Sequence, residues 1–427
     1  MGILVALVAL SFLILIHELG HFLVAKSVGI KVLEFSIFMG PKLLSFTKGE
    51  TTYSLRLIPM GGYVKMEGED EASDDERSFS KQKVWKRALV IAAGPAMNII
   101  LAFILAGIVL SSTGFSTNKI VKLSDDSVLK AAGMEVGDEL ISYGGRRLYN
   151  PSSDVYMMMY GENGLPKDIV YLDASTGERV TKTITPGKTE TRFRLGFSGT
   201  SGSNVVDLVE PNSPLEKARV KKGDKIISVD GFSVSSTEDI IEVLNVLRPD
   251  KTAPLSITVE RNGTLYTFEN IQPFSDFQYT LGQVFEQKKG NFVEVIGASV
   301  NFSISTIREV ITTLGWLFNG TLGFKDLSGP VGIIGTVGSV VEEQQPVSET
   351  ILNLLYFCAF ISINLGVMNL IPFPALDGSI LLLLLIEKLR GKPLPPEKMG
   401  IINIVGFMLL IGLLIATLFN DIPRWIL

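Results

Sequence analysis

Residues 17 to 21 read His-Glu-Leu-Gly-His, and they lie inside an apolar run that starts at the first residues of the chain and continues through Phe22-Leu23-Val24-Ala25. On a helix, positions i and i+4 share a face, so His17 and His21 can both point at one metal ion. Glu18 then stands beside that metal, where it can take a proton from a water. The 427-residue chain contains only 2 histidines, and both are in this motif. Ionisable groups at membrane depth are costly and mark function. The pattern therefore predicts a metal centre inside a membrane span.

The bulk composition agrees. Mean hydropathy is +0.34, 46% of residues are hydrophobic and only 19% are charged, the profile of a membrane protein. The net charge of −5 is segregated along the chain and identifies no partner; nucleic acid is not expected. The one cysteine, Cys358, excludes an intrachain disulfide and a thiolate metal cluster, and reads as a small buried hydrophobe. The N-terminal run lacks a basic n-region and a small-residue cleavage site, so it reads as a retained span.

Apolar runs of about 20 residues predict four spans, near residues 2–26, 88–111, 351–371 and 400–420. Lys26 to Arg87 holds 11 Lys and Arg, and Lys388, Arg390, Lys392 and Lys398 cluster between the last two spans. The positive-inside rule makes both loops cytoplasmic. Both termini and the segment 112–350 then face outwards. Residues 291–322 are largely apolar but are interrupted by Glu294, Arg308 and Glu309, which predicts an amphipathic helix on the membrane surface.

Residues 30–66 read as strands. Tyr53-Ser54-Leu55-Arg56-Leu57 alternates with period two, and Gly40-Pro41, Lys48-Gly49-Glu50, Pro59 and Gly61-Gly62 mark turns. The apolar content and the place directly after the metal helix predict a hairpin that dips back into the membrane beside the site.

The segment 115–285 contains an internal repeat. Gly137-Asp138 matches Gly223-Asp224 at an offset of 86, and Leu195-Gly196 matches Leu281-Gly282 at the same offset. The surrounding pattern, from Ser127 to Gly145 and from Ser213 to Gly231, resembles PDZ domains. This predicts two tandem β-rich PDZ-like units, at 113–199 and 200–287. Arg194-Leu195-Gly196-Phe197 can either close the first or open the second. Arg219 stands where the first unit has Gly133, a departure at the groove. Such a groove takes an extended peptide by strand addition, or the pair acts only as a barrier to access.

Catalytic zinc usually takes three protein ligands and leaves one position for water. With no third histidine, the remaining ligand must be a carboxylate. Asn369-Leu370-Ile371-Pro372-Phe373-Pro374-Ala375-Leu376-Asp377-Gly378 follows the third span, and its two prolines break the helix. Asp377 is thus expected on an irregular segment at the inner side, the same depth as His17 if spans one and three run the same way.

H-E-L-G-H in a first span, N-x-x-P-x-P-x-L-D-G after a later one and PDZ-like units between them resemble the site-2 protease family of intramembrane zinc metalloproteases. The resemblance covers essentially the whole chain. Gly40-Pro41-Lys42, Pro59-Met60-Gly61-Gly62-Tyr63, Ala93-Gly94-Pro95 and Leu327-Ser328-Gly329-Pro330-Val331-Gly332 also carry it. It implies a polytopic helical membrane protein of the bacterial inner membrane, with Zn2+ held by His17, His21 and Asp377 and with Glu18 as general base. It implies Asn369 and Asn364 as substrate-handling positions, Asn364 alternatively making a helix–helix hydrogen bond. Gly61 and Gly62 lie on the edge strand expected to pair with an unwound substrate. The implied substrates are single-span membrane proteins of the anti-sigma factor type, and remnant signal peptides. Peptide ends or substrate ectodomains would meet the PDZ pair.

The expected order is 1–28, first span; 29–87, β element and loop; 88–112, second span; 113–199 and 200–287, the PDZ-like pair; 288–350, amphipathic helix and loop; 351–380, third span with the Asp377 motif; 381–427, loop and fourth span. Two rival readings remain at this point: a PDZ-bearing membrane scaffold with a structural or vestigial metal, and a membrane-anchored zinc protease acting on loops of misfolded proteins.

Overall fold

The computed structural model describes residues 2–69, 73–189, 192–200, 202–210, 212–323, 327–342, 346–392 and 396–425. Two compact units emerge, one of Met1–Asn118, Leu148–Asp154 and Phe285–Leu418, the other of Lys119–Arg147, Val155–Val284 and Phe419–Leu427. Helices in chain order are α1 (Gly2–Ser27), α2 (Val84–Thr113), α3 (Val128–Ala131), α4 (Pro151–Tyr160), α5 (Pro214–Lys217), α6 (Thr237–Glu242), α7 (Phe292–Asn319), α8 (Pro330–Glu342), α9 (Val347–Leu370), α10 (Asp377–Arg390) and α11 (Pro396–Trp425).

Helices α1, α2, α9 and the Gly400–Phe419 part of α11 are long and apolar enough to cross a membrane. At 1.5 Å per residue, about 20 residues span the ~30 Å hydrocarbon layer. The four agree with the spans read from the sequence, and α7 is not among them. Helix α2 packs against α1, α7 and α9. Small residues let backbones touch, which is how helices associate in lipid, where burying apolar surface gives no drive. A Cβ on Gly20 of α1 would stand 2.4 Å from the Ala93 carbonyl oxygen, and one on Gly366 of α9 would stand 2.9 Å from that of Pro95. Ala102, Leu105 and Ala106 of α2 form one apolar cluster with Phe302 and Val310 of α7 and with Ala359, Ile363 and Val367 of α9. The segment expected as an amphipathic surface helix is thus packed along two spans.

The β element is a hairpin of β1 (Val32–Lys48) and β2 (Thr51–Met66). Both strands bend, and Phe35 pairs with Tyr53 on one side and Val64 on the other. The left-handed backbone at Phe38, Gly40 and Gly61 accompanies these bends. The Gly62–Lys65 arm becomes an edge: among the described residues its only strand partner is β1. The Ser11 hydroxyl, nine residues along α1, donates to the Pro59 carbonyl. Met39, Leu43, Leu44, Phe46, Leu57 and Ile58 are exposed, an apolar surface on a strand element.

Two stretches differ from the expected layout. Residues 377–390, expected to lead into a loop, form α10, and Asp377 is its first residue rather than part of an irregular segment. Only Ile371 to Leu376 is non-helical there, because Pro372 and Pro374 cannot continue α9. Residues 330–342, expected as loop, form α8, which packs on α1. Its 13 residues carry Gly332, Gly335 and Gly338, a composition that hides a helix from periodicity.

The second unit contains two β-rich subdomains, each with a short helix N-capped by a serine at repeat-matched positions, Ser127 and Ser213. Asp138 accepts from the Glu135 amide and Asp224 from the Lys221 amide, so the repeated Gly-Asp pair closes the same turn twice. Arg219 takes the left-handed conformation that Gly133 takes in the first copy, with φ 64° against 93°.

The repeat is nested rather than tandem. The Gly282 carbonyl accepts from the Ser124 amide, and the Gly196 carbonyl accepts from the Glu210 amide, each at 2.9 Å. Leu195 therefore opens the second subdomain and lies in its core with Val206, Leu215, Ile226 and Ile257. Leu281-Gly282 returns to the first, where the Ser127 hydroxyl bonds the Leu281 carbonyl. The boundary expected at 199/200 is corrected accordingly: strand Arg192–Arg194 pairs with Phe274–Asp276, inside the second subdomain.

Candidate metal centre

His17 and His21 sit one turn apart on α1, both buried, with ring centroids 4.8 Å apart. The Asp377 carboxylate enters from the start of α10. His17 Nε2 lies 3.0 Å and His21 Nε2 3.4 Å from Asp377 Oδ2, and the two Nε2 atoms are 3.1 Å apart. A tetrahedral ion with bonds of ~2.0–2.1 Å has ligand–ligand edges of roughly 3.3–3.4 Å. The triangle of donors is close to one face of such a tetrahedron.

Protons point the same way. A backbone carbonyl cannot donate, so in the 2.9 Å contact between His21 Nδ1 and the Val90 oxygen the imidazole is the donor. In the neutral ring, His21 Nε2 then carries a lone pair, and it faces an anionic oxygen. Among the described residues, buried Asp377 Oδ2 meets no polar partner other than the two imidazoles. Two lone-pair bearers converging in an apolar interior fit a cation between them. Among the described residues this His17–His21–Asp377 cluster is the one group that could hold a metal ion. It offers three donors, which leaves a fourth position open.

Neighbouring backbones hold the donors in place. A Cβ on Gly94 would lie 2.3 Å from His21 Nε2 and 2.8 Å from His17 Nε2, so α2 closes one side of the site by having no side chain there. A Cβ on Gly378 would lie 2.2 Å from the Ile371 carbonyl oxygen and 2.3 Å from that of Leu370. That glycine lets α10 fold back against the end of α9 and present Asp377. The Ala375 backbone, with φ 72°, completes the reversal.

A cavity of about 470 Å³ opens onto the cluster. His17, Glu18, His21, Tyr63, Val64, Asn369 and Asp377 border it. The Glu18 carboxylate accepts from the Val64 backbone, and a Cβ on Gly62 would come within 3.8 Å of Glu18 Cγ, so the edge arm of β2 runs beside the glutamate. Asn364 does not border the cavity; its amide reaches back to the Phe360 carbonyl of its own helix. Gly61 lies near Ile14 and Met39, away from the donors. Gly94, Asn98 and the Val90 carbonyl were not singled out as site residues by the sequence reading. Of these, only Gly94 has a signal in the sequence, the Ala93-Gly94-Pro95 run.

Comparison with known proteins decides the family. The family model described as peptidase family M50 matches residues 5–413. The chain belongs to peptidase family M50. A zinc metalloprotease RasP of Shouchella clausii is 30% identical over 451 residues, covering 99% of each chain. The RasP of Geobacillus kaustophilus is 30% identical over 446 residues, covering 99% of this chain and 97% of that one. A protein of Clostridium perfringens is 31% identical over 423 residues, covering 99% of this chain and 98% of that one. Among solved structures, an HtrA3 PDZ domain bound to a phage-derived ligand is 23% identical and covers 21% of this chain and 92% of its own. Its TM-score of 0.18 is too low to carry an argument about the fold. This M50 protein is therefore a membrane-bound zinc metalloprotease, and the donor set on α1 and α10 fits its metal.

Proposed function

We propose that this M50 peptidase cleaves single-span membrane proteins within the membrane, as one step of a regulated proteolytic sequence, with anti-sigma-factor-type proteins and remnant signal peptides as its substrates. The observation that carries this reading is the position of the donors: His17 and His21 are buried within the apolar helix Gly2–Ser27 and border a cavity together with Asp377, and three donors leave a fourth position open for water. That open position disfavours a scaffold with a structural metal, which closes its coordination.

His17, His21 and Asp377 hold the metal. Zinc, when bound, activates a water and polarises the scissile carbonyl. Glu18 takes the proton of the attacking water and returns it to the leaving amine. Asn369 hydrogen-bonds the backbone of the substrate. A helical substrate must unwind first, and each unpaired backbone group in lipid costs several kcal/mol. The Gly62–Lys65 edge, with Gly61 at its bend, offsets that cost by pairing with the unwound segment. The exposed apolar residues of β1 and β2 support a position of this hairpin in the bilayer.

The chain sits in the bacterial inner membrane, the Lys26–Arg87 and Lys388–Lys398 loops cytoplasmic and the β-rich subdomains outside. Those subdomains are PDZ-like, meet peptide ends or substrate ectodomains, and limit which substrates reach the site. Cleavage-site mapping on a single-span substrate tests the reading. Scission inside the apolar segment is expected. Scission confined to extramembrane loops would instead support a protease of misfolded loops.

A further inference from the structure

The two histidines are oriented by different means. His21 Nδ1 donates to a backbone carbonyl, that of Val90. Among the described residues, His17 has no carbonyl partner. Its Nδ1 lies 3.2 Å from the side-chain amide of Asn98, a fully buried residue on α2. The amide presents its nitrogen to His17, and its oxygen, Oδ1, is buried with no partner among the described residues. The two ends of an amide are alike in size, and a half-turn about Cβ–Cγ exchanges them.

The two orientations differ in chemistry. If the amide nitrogen donates to Nδ1, the proton of a neutral imidazole resides on Nε2. That nitrogen then has no lone pair for a metal. If Oδ1 accepts from Nδ1–H, the lone pair is on Nε2 and points at the open space between His17, His21 and Asp377. A ligating imidazole needs the second arrangement.

We infer that Asn98 is a positioning residue for the metal: with the metal bound, its Oδ1 accepts the Nδ1 proton of His17 and locks the tautomer whose Nε2 can ligate. This rests on the reading of His17 as a ligand. The backbone of Asn98 is itself anchored, since the Ser362 hydroxyl of α9 donates to its carbonyl at 2.8 Å. Three helices thus fix one proton: α9 holds the backbone of Asn98, and α2 presents its amide to α1.

The test uses the full-length protein in detergent micelles and measures zinc affinity by competition with a chromophoric chelator. Asn98→Leu keeps the volume and removes the acceptor; zinc affinity is expected to fall roughly 10–100-fold, the usual effect of losing such an outer partner. Asn98→Asp keeps an acceptor and cannot donate, so it is expected to bind zinc within about threefold of wild type or tighter. A role as donor to Nδ1 predicts that Asn98→Asp fails as badly as Asn98→Leu, and a packing role predicts that Asn98→Leu is the better tolerated. Either result overturns the inference. If Asn98→Leu does not fold, Asn98→Asp against wild type decides, and a tenfold loss there is fatal. A His17→Ala control separates the two levels. If it binds zinc like wild type, the ligand reading fails; if it loses zinc while both Asn98 variants bind normally, only the role of Asn98 fails.

Discussion

A methyl group placed on Gly94 would stand 2.3 Å from Nε2 of His21, inside the contact distance of any two heavy atoms. The absence of a side chain on α2 thus shapes the candidate metal centre as much as the imidazoles on α1 do. Gly94→Ala is expected to push both rings off the ligating geometry and to lower zinc content by tenfold or more, since outer contacts of a ligand typically govern affinity to that extent. Gly412→Ala is the control, because a Cβ there meets nothing within 4 Å. Metal analysis of the two purified variants checks the difference.

The reversal that presents Asp377 depends on a second close approach. A Cβ on Gly406 of α11 would lie 2.2 Å from Pro374 Cβ and 2.4 Å from the Pro374 carbonyl oxygen. The backbone cannot yield as a flexible side chain would. Gly406→Leu is expected to displace the Pro372–Leu376 segment and to destabilise the helical unit by about 1–3 kcal/mol, the usual overpacking cost. Chemical denaturation in micelles measures it, and zinc content should fall in the same variant while helix content is kept.

Arg87 on α2 donates through Nη1 to both Glu387 oxygens, at 2.9 and 3.1 Å, and ties α2 to α10. Both side chains are largely buried, so neither charge is well solvated alone. Replacing only one leaves the other buried and unpaired, which costs roughly 3–5 kcal/mol. Arg87→Met and Glu387→Met should therefore each destabilise strongly, and the double variant should recover most of the loss. A double-mutant cycle that shows simple additivity would contradict the pairing.

In the β-rich unit, Glu162 receives Lys167 Nζ at 2.8 Å and the Tyr143 hydroxyl at 2.6 Å. Burial alone would raise its carboxyl, but hydrogen bonds from Lys167, Tyr143 and the Asn163 backbone together hold it below the ordinary value. A carboxyl depressed in the folded state contributes stability above its unfolded value, near 4.5, and loses that contribution as pH falls through its folded value. The stability difference between wild type and Glu162→Gln should be flat from pH 7 to about 5 and shrink below 4.5. Denaturation of both proteins across that range reads it.

The parts of this molecule that follow local rules could be read from the chain. Four apolar runs became four candidate spans because length and hydropathy alone determine them. His17 and His21 were nameable because the chain has no other histidine, and Asp377, one of 44 acidic residues, because Pro372 and Pro374 mark the segment that carries it. What escaped were residues whose role is geometric. Gly94 acts by what it lacks, and Asn98 by facing a ring 81 positions earlier in the chain. Helix α8 escaped because three glycines in 13 residues weaken any periodic signal. The nesting of the β-rich subdomains escaped for another reason: an offset of 86 between Leu195-Gly196 and Leu281-Gly282 is the same whether the copies follow one another or one lies inside the other. The hydrogen bonds of Gly196 to Glu210 and of Gly282 to Ser124, with the pairing of Arg192–Arg194 and Phe274–Asp276, distinguish the two.

The central claim is that Glu18 moves the proton at a metal held by its two neighbouring histidines. Glu18→Gln, assayed for zinc content and for cleavage of a single-span substrate in the same preparation, tests it most directly. The account predicts one zinc per chain, as in wild type, with cleavage lost by roughly three or more orders of magnitude, within the range for removing a general base. Cleavage at the wild-type rate in that variant would contradict it.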